Sequence, residues 1–195
     1  GYNKPEQVAI AANIVEAELC GKSTHGILRL QLLKLLIAQG KIVPDSPKPV
    51  YRRRSANYLL VNGKGGTGYA VLAASLKRAL QDYQQRPVQI VGLTNTAPST
   101  GYFGAFARTA ALNNCIFIGF SNSAGGLVPQ GSREALWGLN PTAIGLPFKK
   151  NPIVIDFSAG STTWGTLMKH AHEQELIPVN VAIDANGEMT QDAKA

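Results

Sequence analysis

A histidine and an arginine near the N-terminus have the side chains needed for acid/base chemistry on a carboxylic acid. His25 lies among small residues at 21–26, and Arg29 follows four positions later in an apolar run. Residues four apart lie on one face of a helix, so both side chains can face one pocket. A histidine titrates near neutrality, and a guanidinium can bind a carboxylate through two hydrogen bonds. The pair predicts an acid/base site for a carboxylate, although a capping histidine beside a surface arginine would give the same pattern.

The glycine-rich run at residues 63–68 is a candidate for phosphate binding. It matches G-x-G-x-x-G, follows an apolar run and precedes a predicted helix, as in dinucleotide sites of the Rossmann type. Such a site also needs an acidic residue at the end of the next strand. The strand predicted at 88–93 is followed instead by Thr94 and Asn95. The run is therefore more typical of a plain glycine turn, and the phosphate loop stays open as the alternative.

Metal and nucleic-acid sites have weak support in the sequence. His170 and His172 are two apart on a predicted helix and so point to opposite sides of it. Cys20 and Cys115 have no close partners that would complete a zinc site. The net charge of +7 could attract nucleic acid, phosphorylated cofactors or carboxylates. Because the densest basic run, 52–54, has no interleaved aromatic platform, we expect neither a metal nor a nucleic-acid partner.

Length and composition indicate a folded, soluble chain. With 195 residues, of which 45% are hydrophobic, it can bury a sizeable core. It has no apolar stretch of roughly 18 residues, the length that a membrane-spanning helix needs, and its first residues lack the pattern of a signal peptide. Two cysteines fit a reducing compartment. We therefore expect a cytoplasmic protein that does not associate with membranes.

The elements that must position these residues alternate between helix and strand. Apolar spacing predicts helices at 5–20, 27–39, from the glycine run to about 85, 104–113 and 163–175, and buried strands at 59–61, 88–93, 116–120 and 153–155. Asp156 is then expected to begin a loop of small residues, and Asn186-Gly187 a turn. This alternation predicts an α/β fold.

Four short motifs downstream of the His25 segment carry a family resemblance. They are Ser-Asn-Ser at 121–123, Val-Pro-Gln-Gly at 128–131, Gly-Leu-Asn-Pro at 138–141 and Ile-Asp-Phe-Ser at 155–158. Together with Ser-Thr-His-Gly-Ile-Leu-Arg-Leu at 23–30, they resemble in order and spacing the malate/L-lactate dehydrogenase family, which lacks a Rossmann fold. The resemblance implies a non-Rossmann mixed sheet with flanking helices. It also implies a helical segment at 1–50 on the substrate and dimer side, and an incomplete α/β cofactor-binding domain at 51–195.

The same resemblance implies a function and roles for individual residues. The family transfers a hydride between NAD or NADP and a 2-hydroxy or 2-oxo acid such as malate or lactate, and it forms homodimers. His25 matches the loop histidine close to the substrate, and Arg29 matches the arginine that holds the substrate carboxylate. Five residues match dinucleotide contacts: Ser123, Asp156, Phe157, Ser158 and Ala159. The glycine turn has a counterpart in the family that is not a phosphate loop, which favours the plain turn.

Two departures from the family pattern bear on activity. Many members carry a second histidine, considered catalytic, in the loop after the strand at 88–93, and an ungapped count places Ser99 there. A serine hydroxyl cannot titrate near pH 7, although it can position a water or a substrate oxygen. The chain is also shorter than family members. The alternative hypothesis is therefore a catalytically inactive, truncated or split homologue that lacks the second histidine and the C-terminal half.

Overall fold

The computed structural model describes residues 1–123 and 125–195, which form helices and strands in alternation. The helices are α1 (Lys4–Leu19), α2 (Arg29–Ala38), α3 (Gly68–Asp82), α4 (Gly104–Leu112) and α5 (Trp164–Glu173), with a 3-10 helix at Ser23–His25. The strands are β1 (Val50–Arg53), β2 (Tyr58–Asn62), β3 (Ile90–Thr94), β4 (Phe117–Phe120), β5 (Thr142–Leu146), β6 (Ile153–Phe157), β7 (Ala182–Ile183) and β8 (Met189–Thr190). The predicted α/β class is confirmed.

The strands form two three-stranded sheets and a hairpin. The first sheet has the order β1-β2-β3, with β1 antiparallel to β2 and β2 parallel to β3. The second has the order β4-β5-β6, and β7 pairs with β8 in the hairpin. The chain divides into two compact units, residues 1–117 with 145–154 and residues 118–144 with 155–195. The boundary expected at residue 50 stays a prediction.

The start of α1 is fixed by a capping box. The Asn3 side chain accepts a hydrogen bond from the Glu6 amide at 3.1 Å, and the Asn3 amide donates to the Glu6 carboxylate at 3.3 Å. Pro5 lies in the first turn, where its missing amide costs nothing. The buried Glu6 also accepts from the Asp45 amide and the Ser46 hydroxyl. The capping pair therefore joins the start of α1 to the connection that follows α2.

The helix predicted at 27–39 begins two residues later, and His25 is not part of it. His25 ends the 3-10 helix, and the backbone at Gly26 (φ −85°, ψ −139°) is not helical. The Glu18 carboxylate accepts a hydrogen bond from the Ile27 amide at 2.6 Å, which stabilises this break. The two residues therefore do not lie on one continuous helix, so the helical spacing assumed for His25 and Arg29 is wrong.

Two clusters of buried side chains contribute to the core of the first unit. One joins the N-terminal helices to the start of α3 and comprises Ile10, Ile14, Leu33, Ile42, Tyr69 and Ala97. The other joins β2 to α3 and comprises Leu59, Val61 and Val71. Tyr69 is fully buried, with an exposed fraction of 0%. The first cluster therefore places a tyrosine hydroxyl within an otherwise apolar core.

Several predicted strands are incorrect in extent or burial. Strands β1 and β5 are absent from the prediction, and β6 continues to Phe157, so Asp156 lies in a strand and not in a loop. Ile90 in β3, Ile118 in β4 and Ile155 in β6 are 62%, 60% and 44% exposed, although these strands were expected to be buried. Successive side chains point to opposite faces of a strand. In the described residues, one face of each of these strands is therefore left exposed.

The turn predicted at Asn186-Gly187 is confirmed. The Asp184 carboxylate accepts hydrogen bonds from the Asn186 and Glu188 amides at 2.8 and 3.0 Å. Gly187 has φ +81°, a conformation that favours glycine. Elsewhere in the described chain, none of the helices has the length and apolar character that a membrane span needs.

Candidate functional site

His25 is half-buried in the 3-10 helix, and its ring Nδ1 lies 3.2 Å from the Thr24 hydroxyl. Burial, followed by the positive charges of Arg29 and Lys22, lowers the pKa of His25 from 6.5 to about 4. The expectation that this histidine is accessible and titrates near neutrality is therefore wrong for this structure. At pH 7 its imidazole is neutral.

Arg29 is the first residue of α2 and is also half-buried. Its guanidinium interacts with the Tyr69 hydroxyl, whose pKa it lowers both by a hydrogen bond and by its positive charge. The Nε atom of Arg29 is buried and has no hydrogen-bond partner among the described residues. A buried donor without a partner costs free energy, so this side chain retains a capacity to bind an acceptor such as a carboxylate.

Ser99 meets the same tyrosine from another part of the chain. Its hydroxyl donates a hydrogen bond to the Tyr69 hydroxyl at 3.3 Å. Burial is the main influence on Tyr69 and raises the pKa of its hydroxyl, while Ser99 and Arg29 oppose that rise. The structure therefore brings His25, Arg29 and Ser99 together in one polar cluster. Tyr69 is a member that the sequence did not indicate, because its contact with Ser99 depends on the tertiary fold.

The cluster is not part of either of two nearby cavities. A cavity of about 450 Å³ lies beside the glycine turn and is lined by residues that include Lys41, Lys64 and Pro98. An apolar groove of about 530 Å³ lies along α1 and α2 and includes Ile14, Ile27 and Leu30. Neither lining includes His25, Arg29 or Ser99. The three residues expected to share a cleft are linked pairwise: His25 interacts with Arg29, and Arg29 and Ser99 each interact with Tyr69.

The backbone of the glycine turn is committed to internal hydrogen bonds. The four amides of residues 63–66 donate to Thr94 O, Asn62 Oδ1, Asn95 O and Gly63 O at 2.8 to 2.9 Å. The hydroxyl of Thr67 caps α3 by accepting from the Ala70 amide at 3.3 Å. A pyrophosphate would need these amides as donors. The geometry supports the plain turn over the phosphate loop.

In the second unit, two of the motif segments are held together by reciprocal hydrogen bonds. The Ser123 amide donates to the Asn140 side chain at 3.2 Å, and the Asn140 amide donates to the Ser123 hydroxyl at 3.4 Å. The Ser121 amide also donates to the Pro141 carbonyl at 3.0 Å. A Cβ at Gly138 would collide with the backbone and hydroxyl of Ser123. This close approach requires glycine at position 138.

A third motif segment joins the same loops through Ala159. Its amide donates to the carbonyl of Leu139 at 2.9 Å. Asp156 is half-buried at the end of β6, Phe157 is 55% exposed, and Ser158 is half-buried. The five residues expected to contact a dinucleotide therefore come from the end of β6 and from loops that lie together with it in the second unit. Over the described part of the chain, no group of three or more His, Cys, Asp or Glu side chains is arranged to hold a metal ion.

Comparison with known proteins identifies relatives over the whole chain. A family model described as malate/L-lactate dehydrogenase matches residues 1–195. L-sulfolactate dehydrogenase of Methanothermobacter thermautotrophicus is 30% identical over 192 residues, which are 97% of this chain and 56% of that protein. Malate dehydrogenase of Pyrococcus abyssi is 31% identical over 189 residues, 96% of this chain and 52% of that protein. The chain thus spans about half the length of the curated relatives that it matches.

Solved structures of dehydrogenases and reductases resemble this chain over a similar share of their length. A dehydrogenase from Sinorhizobium meliloti has a TM-score of 0.87 and 31% identity, over 95% of this chain and 54% of that one. The delta1-piperideine-2-carboxylate reductase of Pseudomonas syringae has a TM-score of 0.88 and 25% identity, over 100% of this chain and 58% of that one. The fold of the described residues is therefore that of the matched part of these enzymes.

Proposed function

Because the chain belongs to the malate/L-lactate dehydrogenase family, we propose that it takes part in hydride transfer between NAD or NADP and a 2-hydroxy or 2-oxo acid. The observation that carries this proposal is Arg29, a half-buried cation whose Nε has no hydrogen-bond partner among the described residues. It lies beside a histidine that is neutral at pH 7. A cation next to an acid/base group suits a substrate that carries a carboxylate beside a reacting oxygen.

Arg29 is proposed to bind the substrate carboxylate. A guanidinium can form two parallel hydrogen bonds with a carboxylate, which fixes both the position and the orientation of the substrate. The partial burial of Arg29 reduces competition from water and strengthens this charge-assisted contact.

His25 is proposed to handle the proton at the substrate oxygen. The charge of Arg29 is the second largest cause of the lowered pKa of His25. A carboxylate bound to Arg29 compensates that charge, so it raises the pKa of His25 towards the range in which a histidine exchanges protons. Substrate binding would thereby prepare the proton donor for the reduction and the proton acceptor for the oxidation.

The dinucleotide is proposed to contact Ser123 and the segment Asp156, Phe157, Ser158 and Ala159. The donor set suits this ligand, since two serine hydroxyls can bind ribose or phosphate oxygens and the exposed Phe157 ring offers an apolar surface. The absence of a side chain at Gly138 lets the loops meet closely. When bound, the nicotinamide supplies or accepts the hydride.

A cytoplasmic homodimer is the proposed state of the protein, with a small carboxylate molecule as its substrate. Support for the compartment comes from Cys20 and Cys115, both of which are free thiols. Support for the dimer comes from the family resemblance. Light scattering of the purified protein measures its mass, and a mass equal to one chain would contradict the dimer.

Nicotinamide absorbance tests the function. The purified protein is incubated with NADH or NADPH and with pyruvate, oxaloacetate or a cyclic imino acid, together with Arg29→Gln and the control Arg78→Gln. Arg78 is a matched arginine whose guanidinium lies 4.9 Å from the Tyr51 ring. We expect Arg29→Gln to raise KM at least about tenfold, because a charge-assisted contact is lost, and Arg78→Gln to behave as wild type.

Two results would contradict this proposal. One is a KM that Arg29→Gln leaves unchanged, and the other is a wild type that oxidises neither nucleotide with any of these acids. The second result would favour the alternative of an inactive homologue, which Ser99 suggests.

A further inference from the structure

Tyr69 has a polar group in a place where packing alone would need none. It lies in the first turn of α3, is 0% exposed, and packs with Ile10, Ile14 and Leu33. A phenylalanine ring would supply the same apolar contacts. Burying the hydroxyl costs free energy unless it forms hydrogen bonds. The partners of the hydroxyl therefore indicate what the residue does.

The partners of the Tyr69 hydroxyl come from two other segments of the chain. Ser99 donates to it at 3.3 Å. Arg29 lies one helical turn before Leu33 on the same face of α2, and Leu33 packs with Tyr69 in the core. The positive charge of Arg29 acts on the hydroxyl, and a phenol oxygen can accept a second hydrogen bond beside that from Ser99. Burial raises the pKa of Tyr69 still further above neutrality, so the hydroxyl is protonated at pH 7. Its oxygen is thus a neutral acceptor between Ser99 and Arg29.

The ring that carries this hydroxyl has little freedom to move. At Gly101, which has φ +75°, a Cβ would collide with the ring of Tyr69 and the side chain of Asn13. At Gly68, a Cβ would lie 2.7 Å from the Ser99 carbonyl oxygen. The backbone therefore closes tightly around the ring and around the Ser99 loop. An acceptor held this rigidly can define the direction of a flexible arginine.

We propose that Tyr69 is a positioning residue for Arg29, whose guanidinium it holds in the orientation that binds a carboxylate. The identity of the carboxylate as a substrate rests on the proposed function, whereas the contact itself does not. Ser99 acts through Tyr69, because its hydroxyl donates a hydrogen bond to the phenol oxygen and so fixes the position of the phenol. Ser99 therefore has a positioning role in the site. A histidine at the same position would transfer a proton instead.

The test is Tyr69→Phe, which removes the oxygen and keeps the ring, with Tyr83→Phe as the control. Tyr83 is 37% exposed and its hydroxyl accepts a hydrogen bond from Gln84. The arginine reagent phenylglyoxal is applied to the purified protein, and modification of the peptide that contains Arg29 is followed by mass spectrometry. We expect the Arg29 modification rate to rise about threefold or more in Tyr69→Phe, because the acceptor that orients the guanidinium is lost, and to stay at the wild-type value in Tyr83→Phe.

The kinetic readout separates positioning from general damage. In Tyr69→Phe, we expect KM for the 2-oxo acid to rise about tenfold and kcat to change less than about twofold. A general loss of structure would lower kcat and the amount of folded protein together. Ser99→Ala gives a second test should Tyr69→Phe not fold, because it leaves the ring intact. It should raise the Arg29 modification rate by a smaller factor than full removal of the Tyr69 oxygen.

The proposal is overturned if Arg29 in folded Tyr69→Phe reacts with phenylglyoxal at the wild-type rate, or if kcat falls while KM stays the same. Should Tyr69→Phe not fold, a wild-type Arg29 rate in Ser99→Ala overturns it. If the wild type itself oxidises neither NADH nor NADPH with any 2-oxo acid, the proposed function has failed. The labelling result still decides the role of Tyr69 in that case.

Discussion

Acidification from about pH 7.5 to about pH 5 should destabilise the folded protein through His25. Burial first, then Arg29 and Lys22, lower the pKa of this histidine from 6.5 to about 4. In the unfolded chain the imidazole regains its ordinary pKa and binds a proton below about pH 6.5. The folded imidazole stays neutral until about pH 4. The unfolded state therefore binds more protons between these two values, and stability present above pH 6.5 is lost as the pH falls through this window.

The magnitude follows from the two pKa values. Each pKa unit corresponds to about 1.36 kcal/mol, so the difference between 6.5 and about 4 sets a ceiling of roughly 3 kcal/mol. Because His25 is only half-buried, solvent screens part of this energy. We therefore expect the free energy of unfolding to fall by about 1–2 kcal/mol over the acidification. Glu18, which accepts from the Ile27 amide, is the acidic group beside this segment.

Urea unfolding at the two pH values measures this effect in wild type, His25→Gln and the control His172→Gln. His172 is an exposed histidine on α5. The wild type and His172→Gln should lose stability on acidification by similar amounts. His25→Gln should lose about 1–2 kcal/mol less, because glutamine binds no proton. Equal losses in wild type and His25→Gln would refute the assignment of a lowered pKa to His25.

Three further perturbations have definite expected outcomes. Gly101→Ala should lower the free energy of unfolding by more than about 2 kcal/mol, because Gly101 has φ +75° and the new Cβ would collide with Asn13. A variant that melts at the wild-type temperature would contradict this prediction. Asn13→Ala should cost about 2 kcal/mol in denaturant unfolding, because its side chain donates to the Tyr102 carbonyl and accepts from the Tyr102 amide at 2.9 and 2.8 Å; a loss under about 0.5 kcal/mol would count against that reasoning. Arg29→Gln should raise the pKa of His25 in an NMR titration, because it removes a nearby positive charge. The rise should be no more than about one unit, since burial is the larger cause of the lowered pKa. An unchanged pKa would exclude an interaction between Arg29 and His25.

Local chemistry made part of the fold predictable. Asn3 and Pro5 mark the start of α1 because a capping side chain and a fixed φ act within a few residues. The Asn186-Gly187 turn is equally local, since Gly187 adopts the positive φ that the turn requires. Strand β5 could not be recognised in the same way. Its five residues, Thr142–Leu146, form a strand by pairing with β4 on one side and β6 on the other, and this tertiary pairing is not visible in their local pattern.

The candidate site shows the same limit. The residue types at His25 and Arg29 indicated an acid/base group and a carboxylate ligand, and the two side chains do interact. The reason given for their proximity, a shared helix face, was wrong because the helix begins at Arg29. The neutral state of His25 depends on burial, and the place of Tyr69 depends on a contact with Ser99 thirty positions away. Neither burial nor that contact is encoded in local spacing.

A comparison of pyruvate with its neutral amide, pyruvamide, tests the central claim most directly. Both molecules carry the same reacting carbonyl, and only pyruvate has the carboxylate that Arg29 is proposed to bind. With NADH or NADPH, wild type should reduce pyruvate with a kcat/KM about 100-fold above that for pyruvamide, and Arg29→Gln should remove most of this preference by losing the activity with pyruvate. Equal kcat/KM values for pyruvate and pyruvamide in the wild type, or a preference that survives in Arg29→Gln, would contradict the account.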